Sequence, residues 1–255
     1  MVAPPPPVHI GIGGWDYDPW RQTFYPPGLP KAKQLHFASR QVNAVEINAT
    51  FYKLQRPDLF ERWAAQVPDD FVFAVKGSRF CTNRRVLAEG GDAVAGFCRQ
   101  GFTRLGPKLG PILWQFAETK RFDPDDVAAF LALLPREQDG LPLRHAIEAQ
   151  HESFRDPRFA ELAGDAQVAI CLVDGSGEPG PDQQTASFVY ARLKNSRSEE
   201  PTGYPQAELD VSAKRVNEWT AGPSPRETFL FFIGGAKERN PAAAQALLAR
   251  LGRSR

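Results

Sequence analysis

The chain has 255 residues, of which 42% are hydrophobic and 24% charged, a composition typical of a soluble globular protein. Its formal net charge is +1, so no overall excess of charge directs it to nucleic acid or to an anionic membrane surface. No apolar run has the roughly 20 residues of a membrane span. Three cysteines without CxxC spacing, and the lack of an export signal, predict free thiols in the cytoplasm.

Strand-like and helix-like segments alternate along the chain after an N-terminal run of prolines. Residues 1–8 include four successive prolines, which predict a disordered proline-rich arm, and a single domain is predicted over 9–252. Short apolar runs predict strands at 9–13, 45–52, 71–76, 110–116, 145–148, 167–174, 188–193 and 228–233. Helical patterns are found at about 31–41, 57–67, 94–105, 123–134, 156–162, 211–219 and 241–252, and 175–184 is predicted to be a loop.

Strand followed by helix, repeated about eight times in roughly 250 residues, predicts an α/β fold, a single (β/α)8 TIM-type barrel. The alternative is an open doubly wound sheet with a glycine-rich phosphate turn near its start. The turn Gly11-x-Gly13-Gly14 lacks the third glycine that opens a helix, and Trp15 follows it, so the sequence favours the barrel.

The predicted second strand, 45–52, alternates apolar and polar side chains. In a closed barrel its polar row, Glu46, Asn48, Thr50 and Tyr52, points inward. A buried, ionised glutamate beside an asparagine is costly unless protein partners or a ligand satisfy it. The second strand is therefore expected to contribute to a functional site.

Sites in such barrels collect where the strands end and the loops to the helices begin. Glu46, Glu148 and His151 are the candidates for acid–base catalysis. The candidates for substrate binding follow the other strand ends: Trp15, Tyr17, Asn48, Tyr52, Lys76, Arg79, Asn83, Gln115, Asp174, Tyr190, Arg192 and Lys194. Two structural alternatives stay open, a plain salt bridge between Glu46 and Lys76 and a packing role for Trp15 in a loop.

No metal or other cofactor is predicted, because the four histidines show neither HExxH nor paired Cys/His spacing. Carboxylates and a histidine could hold Mg²⁺ or Mn²⁺ in principle, and that set is Glu46, Glu148, Asp174 and His151. The nearby lysines and arginines balance the carboxylate charge without a metal.

Several motifs together resemble the YecE-like family of uncharacterised proteins, over about residues 9–250. They are Gly13-Gly14-Trp15-Asp16-Tyr17, Phe24-Tyr25-Pro26, Val45-Glu46-Ile47-Asn48-Ala49-Thr50-Phe51-Tyr52 and Phe71-x-Phe73-x-x-Lys76. The resemblance implies a single TIM-type barrel and no particular activity. It extends to Trp15, Tyr17, Glu46, Asn48, Thr50, Phe51, Tyr52, Lys76, Gln115, Glu148, His151, Asp174, Tyr190 and Arg192.

The chain departs from the family pattern at the ends of four strands. Family members typically have Thr-His where this chain has Thr82-Asn83, and an arginine where it has Gln150. They have Arg-x-His-Gly where it reads Arg192-Leu193-Lys194-Asn195, and Asn-Asn where it has Ile233-Gly234. These differences imply either another ligand or a catalytic function that has been lost.

The first hypothesis is an enzyme, hydrolase-like or isomerase/lyase-like, acting on a small compound that carries phosphate or carboxylate. Lys76, Arg192 and Arg79 would bind the anion, and Glu46 or Glu148 would move protons. The second hypothesis is a non-catalytic ligand-binding or regulatory barrel. A nuclease-like or nucleic-acid-associated barrel is a weaker third, since the net charge of +1 gives it no support. No membrane partner is expected, and the sequence carries no signal for oligomeric state.

Overall fold

The computed structural model describes residues 5–174, 183–221 and 223–253. Within this part of the chain, eight parallel strands surround a central axis, and the sixth is split into two short pieces. The strands are β1 Val8–Gly13, β2 Ala44–Ile47, β3 Val72–Lys76, β4 Leu109–Gln115, β5 His145–Glu148, β6 Ala169–Ile170 and Leu172–Val173, β7 Phe188–Leu193 and β8 Glu227–Phe232.

The strands form a ring in sequence order. Each strand from β1 to β5 pairs in parallel with the next, and β8 pairs with both β7 and β1. The first piece of β6 pairs with β5 and the second with β7, so that Cys171 between the pieces is where the ring closes. The predicted TIM-type barrel is confirmed.

Helices alternate with the strands, as the apolar periodicity indicates. Two longer helices begin at a capping aspartate followed by proline: Asp123 accepts hydrogen bonds from the first turn of α7, and Asp156 does so for α8. None of the helices in the described part of the chain is long and apolar enough to cross a membrane. The α-helices are α1 Trp20–Thr23, α2 Gln34–Ala38, α3 Ala49–Tyr52, α4 Pro57–Gln66, α5 Arg79–Thr82, α6 Gly91–Cys98, α7 Pro124–Ala132, α8 Pro157–Asp165, α9 Gln206–Ala221 and α10 Asn240–Arg250.

The predicted second strand over 45–52 is wrong beyond Ile47. The chain turns at Asn48 into the single-turn helix α3. The Thr50 hydroxyl donates to the carbonyl oxygens of Ile47 and Lys76, at 3.1 and 2.7 Å, and so holds the turn against the end of β3. Tyr52 consequently does not point into the barrel, and 62% of it is exposed. An alternating pattern cannot reveal such a turn, because Thr and aromatic residues also favour strands.

Other boundaries differ by less. The helix predicted over 94–105 ends at Cys98, because Gly101 adopts a φ of 95° and a 3-10 segment, Phe102–Lys108, follows. Val8, assigned to the N-terminal arm, is buried in β1, and Pro7 accepts a hydrogen bond from the Thr228 amide at 3.0 Å. Residues 1–4 of the predicted arm and 175–182 of the predicted loop lie outside the described residues.

The apolar core has two layers. One lies between the strands and the helices, and the other fills the barrel. Inside the barrel, small side chains on one wall face large rings on the other, so that the interior is filled without a channel. The small residues are Ala44, Ala74, Ala146 and Ala169, and the large ones are Phe188, Tyr190, Phe229 and Phe231.

A cluster of hydrogen-bonded polar side chains lies at the amino-terminal end of the barrel, and we call it the floor: His9, Arg144 and Glu227. Arg144 Nη1 lies 2.5 Å from Glu227 Oε2, and His9 Nε2 lies 2.9 Å from Glu227 Oε1. His9 also stacks on Phe229, with 4.7 Å between ring centroids. These side chains occupy the amino-terminal end, and the space for a polar site lies at the carboxyl-terminal end.

Candidate functional site

Side chains from three strands meet inside the barrel near its carboxyl-terminal end. Arg192 on β7 reaches across the interior, and its Nη2 donates to Glu46 Oε1 on β2 at 3.0 Å. Its Nη1 donates to Glu148 Oε2 on β5. Tyr190 donates its hydroxyl to Glu46 Oε2 at 2.7 Å. We call these four residues the buried network, because none of them is more than 2% exposed.

The second oxygen of Glu148 is also fully engaged. Gln115 and Gln150 each donate an amide hydrogen to Glu148 Oε1 at 2.8 Å, and the Lys194 ammonium donates to the same atom. All four carboxylate oxygens of Glu46 and Glu148 therefore accept hydrogen bonds from the protein. Such satisfaction is what burial of two charges requires.

Two members of the network, Glu148 and Tyr190, each keep one protonation state at neutral pH. Burial by itself raises the pKa of Glu148, but the charges of Arg192 and Lys194 and their hydrogen bonds outweigh it and hold the pKa at about 2. Burial raises the pKa of the Tyr190 hydroxyl well above its ordinary value, and the negative charge of Glu46 adds to the effect. Glu148 is thus a carboxylate and Tyr190 a neutral hydrogen-bond donor.

Lys76, at the end of β3, stands at the edge of this network and is 9% exposed. Its ammonium lies 4.1 Å from the centroid of the Phe51 ring, a cation–π contact. Burial lowers the pKa of Lys76 to about 8, and the charge of Arg192 acts in the same direction against those of Glu46 and Glu148. The alternative of a Glu46–Lys76 salt bridge is not observed, since Glu46 pairs with Arg192.

The site carries a surplus of positive charge. Arg192 and Lys194 form ion pairs with Glu46 and Glu148, so two cations balance two carboxylates. Among the residues that the structure describes, Lys76 has no ion pair with a carboxylate. The Lys76 ammonium therefore has no salt bridge of its own within the described ranges, in a partly desolvated position, although Glu46 and Glu148 lie near enough for their charges to act on it.

Two candidates from the sequence belong to neighbouring loops. Asp174 accepts hydrogen bonds from the Lys194 and Asn195 amides, at 2.6 and 3.1 Å, and from the Tyr204 hydroxyl at 2.8 Å, which ties down the loop after β7. His151 Nδ1 accepts from the Ser153 amide at 3.1 Å and so begins a 3-10 turn. In the described ranges no three His, Cys, Asp or Glu side chains are grouped as metal ligands, so the set suggested for Mg²⁺ or Mn²⁺ is not assembled.

The remaining candidates lie around the mouth. Trp15 packs edge-on against Trp63, 5.0 Å between centroids, and so has the packing role left open above. Tyr17 contacts the Lys237 ammonium at 4.5 Å from its ring centroid. The side chain of Asn48 lies over Gly13, where an added Cβ would come within 2.8 Å of its Nδ2. Tyr52, Arg79 and Asn83 are exposed on the loops after β2 and β3.

Gln150 and Phe51 contact residues of the site but are not among the predicted site residues. The sequence signal for Gln150 is its departure from the family pattern, which has an arginine two positions after this glutamate; β5 itself ends at Glu148. Phe51 faces Lys76 only because α3 turns back, and no sequence period signals that. Gln150 and Lys194, two departures from the family pattern, both bond Glu148. The departures therefore change how this carboxylate is held.

Comparison with known proteins supports the family relationship. The chain is 28% identical over 150 residues to the UPF0759 protein YecE of Escherichia coli K12, covering 58% of this chain and 50% of YecE. It is 28% identical over 160 residues to the UPF0759 protein YunF of Bacillus subtilis, covering 60% of this chain and 54% of YunF. The aligned part thus spans about half the length of these curated relatives.

The fold has a close counterpart among solved structures. A DUF72 family protein of Thermotoga maritima superposes with a TM-score of 0.77 at 20% identity, over 97% of this chain and 100% of that one. At this identity the likeness shows the fold alone. The family described as "Protein of unknown function DUF72" matches residues 9–255, nearly the whole chain. The chain therefore belongs to the DUF72 family.

Proposed function

We propose that the protein binds a small anionic compound, bearing phosphate or carboxylate, at the carboxyl-terminal mouth of the barrel, and that it is an enzyme acting on this compound. The observation that carries the proposal is the ammonium of Lys76, which has no salt bridge in the described part of the chain and lies beside two carboxylates, Glu46 and Glu148, that are already paired with Arg192 and Lys194. A partly desolvated cation without a salt bridge is most stable when an anion binds to it.

In this proposal two ammonium groups contact the anion. Lys194 keeps 24% of its side chain exposed while paired with Glu148, and Lys76 stands at the edge of the same network. Arg192 lies beneath them, and its Nε is buried without a hydrogen-bond partner among the described residues. The carboxylates serve to hold Arg192 and Lys194 in place, so that the cations are oriented before the ligand arrives.

Lys76 is also the group best suited to transfer a proton. With a pKa of about 8, it exists in both protonation states near neutral pH. Glu148, with a pKa of about 2, is a weak base. Proton transfer by Glu46 or Glu148, as the sequence suggests, requires the ligand to displace one of their present partners. A hydrolytic or an isomerase/lyase-type reaction fits this set of groups.

A non-catalytic binding barrel is the second candidate. It is favoured by the complete occupation of both carboxylates, which leaves neither of them ready to act as a base. The two candidates differ in what happens to a bound compound. An enzyme converts it, whereas a binding barrel retains it unchanged through purification.

The test is a thermal-shift and calorimetric screen with phosphate and small mono- and dicarboxylates. At about 100 times the Kd, a ligand stabilises the folded state by about 2.7 kcal/mol, which raises the Tm by several degrees. We expect Lys76→Met to abolish the shift. Lys214→Met is the matched control, since Lys214 is exposed on α9 and pairs with Glu218. An unchanged Tm with every anion, or an equal shift in Lys76→Met, contradicts the proposal.

A further inference from the structure

Two large aromatic side chains are exposed beside the mouth of the barrel. Tyr52, at the end of α3, is 62% exposed, and Phe80, in α5, is 59% exposed. Arg79 lies between them, with its guanidinium carbon 5.9 Å from the Tyr52 ring centroid and 5.3 Å from that of Phe80. We call these three residues the aromatic rim. Two exposed rings that flank one arginine give a grouped apolar surface, and grouped apolar surface, unlike single exposed side chains, is a feature of binding sites.

The loops that carry the aromatic rim are strongly one-sided in charge. Residues 47–57 and 76–88 contain no aspartate or glutamate, although the net charge of the whole chain is only +1. Their cations are Lys53, Arg56, Lys76, Arg79, Arg84 and Arg85. Arg56 pairs with Asp58 at 3.2 Å, whereas Arg84 donates to the Phe80 carbonyl oxygen at 2.6 Å and is held beside the rim. The surface around the two rings is therefore locally positive.

A shallow groove lies between the loops after β3 and β4, and Arg84, which donates to the Phe80 carbonyl oxygen, links it to the aromatic rim. Arg84 and Arg85 line it from the loop after β3, and Arg121, Phe122 and Asp123 line it from the loop after β4, so one carboxylate stands among three arginines. Lys120 also borders it, but its ammonium is engaged by Asp126 at 2.5 Å. The groove thus continues the arginines of the rim, while its aromatic ring, Phe122, is partly buried against Phe154 and Phe159.

We propose that the aromatic rim and this groove bind single-stranded nucleic acid. Unpaired bases stack on the faces of Tyr52 and Phe80, and the phosphates contact Arg79, Arg84 and Arg85. Stacking rings interleaved with arginines are the chemistry by which proteins hold single strands without reading their sequence. A duplex offers no free base faces to the rings. The proposal departs from the expectation drawn from net charge, and it does not depend on the anion site at Lys76.

The test measures fluorescence anisotropy of a fluorescein-labelled oligothymidylate of about 12 nucleotides. An oligouridylate and a duplex of equal length are measured in parallel. We expect both single strands to bind, with an affinity that falls as salt rises, and the duplex to bind more weakly. Tyr52→Ala and Phe80→Ala are each expected to weaken binding by about tenfold or more, and Tyr52→Phe to retain it.

Val211→Ala is the matched control, because Val211 is an apolar side chain on α9 that is 59% exposed. It should bind the oligothymidylate as the unaltered protein does. Because all these positions are on the surface, circular dichroism should show folded variants. The proposal is overturned if nothing binds at about 50 mM salt, or if the duplex binds better than the single strands. It is also overturned if Tyr52→Ala with Phe80→Ala leaves the affinity unchanged, since phosphate attraction alone then explains binding.

Discussion

At the scale of single residues, the stability of the buried network depends most on Arg192, because it is the shared partner of two buried carboxylates. Replacing it by methionine leaves Glu46 and Glu148 buried with less compensation. We expect Arg192→Met to lower the free energy of unfolding by about 3–5 kcal/mol, measured by urea denaturation. Adding Glu46→Gln should recover part of the loss. A decrease below about 1 kcal/mol would show that the network is not held by this guanidinium.

Lys76 leads to a prediction about pH. An anion binds best to the protonated amine, whose pKa is about 8 in the unliganded protein. Affinity for sulfate, which keeps its charge in this range, should therefore be constant below about pH 7 and fall as pH rises above 8, by up to tenfold per pH unit. Isothermal titration at several pH values measures this. Lys76→Met should show weak binding without the dependence, and a flat profile in the unaltered protein contradicts the assignment.

The sequence predicts which residues meet better than it predicts how they pair. Glu46, Glu148 and Arg192 follow from alternation along strands that all end at one rim of the barrel. The partner of Glu46 depends on reach across the interior, where a long guanidinium from β7 spans to β2 and β5. Because β2 and β3 are neighbours, the sequence predicts that Lys76 pairs with Glu46, yet its ammonium packs on the Phe51 ring. The contact of Lys76 with Phe51 depends on the turn into α3, which hydrophobic periodicity does not predict.

At the scale of elements, the strand–helix alternation is predicted correctly, and the errors fall where a single residue changes the backbone. β2 ends because the Thr50 hydroxyl binds two carbonyl oxygens. The helix after β3 is interrupted because Gly101 takes a φ of 95°, a conformation open to glycine. Hydrophobic periodicity describes faces of elements and contains no term for these local hydrogen bonds and dihedral angles.

Gly11 tests how closely β1 approaches β2, and Gly96 provides the control. A Cβ added at Gly11 would lie 2.0 Å from the Ala44 carbonyl oxygen, so the paired strands must separate. We expect Gly11→Ala to lower the free energy of unfolding by about 3 kcal/mol or more, or to prevent folding. Gly96→Ala in α6 is the matched control, since nothing lies within 4 Å of its added Cβ. It should stabilise the protein by about 0.5–1 kcal/mol. Equal stability of the two variants contradicts the predicted close approach.

At the scale of the whole molecule, stability should decline in acid in two steps. Burial lowers the pKa of His145 from 6.5 to about 4, so between these values the unfolded chain takes up a proton that the folded protein refuses. Glu148 has a folded pKa of about 2 against 4.5 when unfolded, so its contribution is present above pH 4.5 and is lost below it. Urea unfolding from about pH 7 to 3 measures both steps. Glu148→Gln should reduce the loss of stability below pH 4.5, to which Asp126 and Glu227 with their lowered pKa values also contribute, and should leave the loss between pH 6.5 and 4 unchanged.

The overall charge illustrates what a global quantity hides. A net charge of +1 argues against nucleic acid for an evenly charged surface, but residues 47–57 and 76–88 concentrate cations at one part of the rim. Composition averages over that arrangement. The fold follows from the order of elements, whereas the distribution of charge follows from which loops the barrel gathers at one end.

The floor formed by His9, Arg144 and Glu227 has a kinetic consequence. Together with the side chains that fill the interior, it leaves no path through the barrel that the described strands form, so a ligand bound at the carboxyl-terminal mouth must leave by the opening through which it entered. A second ligand molecule cannot displace the first one through the opposite end of the barrel. The rate of ligand release therefore sets an upper limit on how often the site can bind a new ligand molecule.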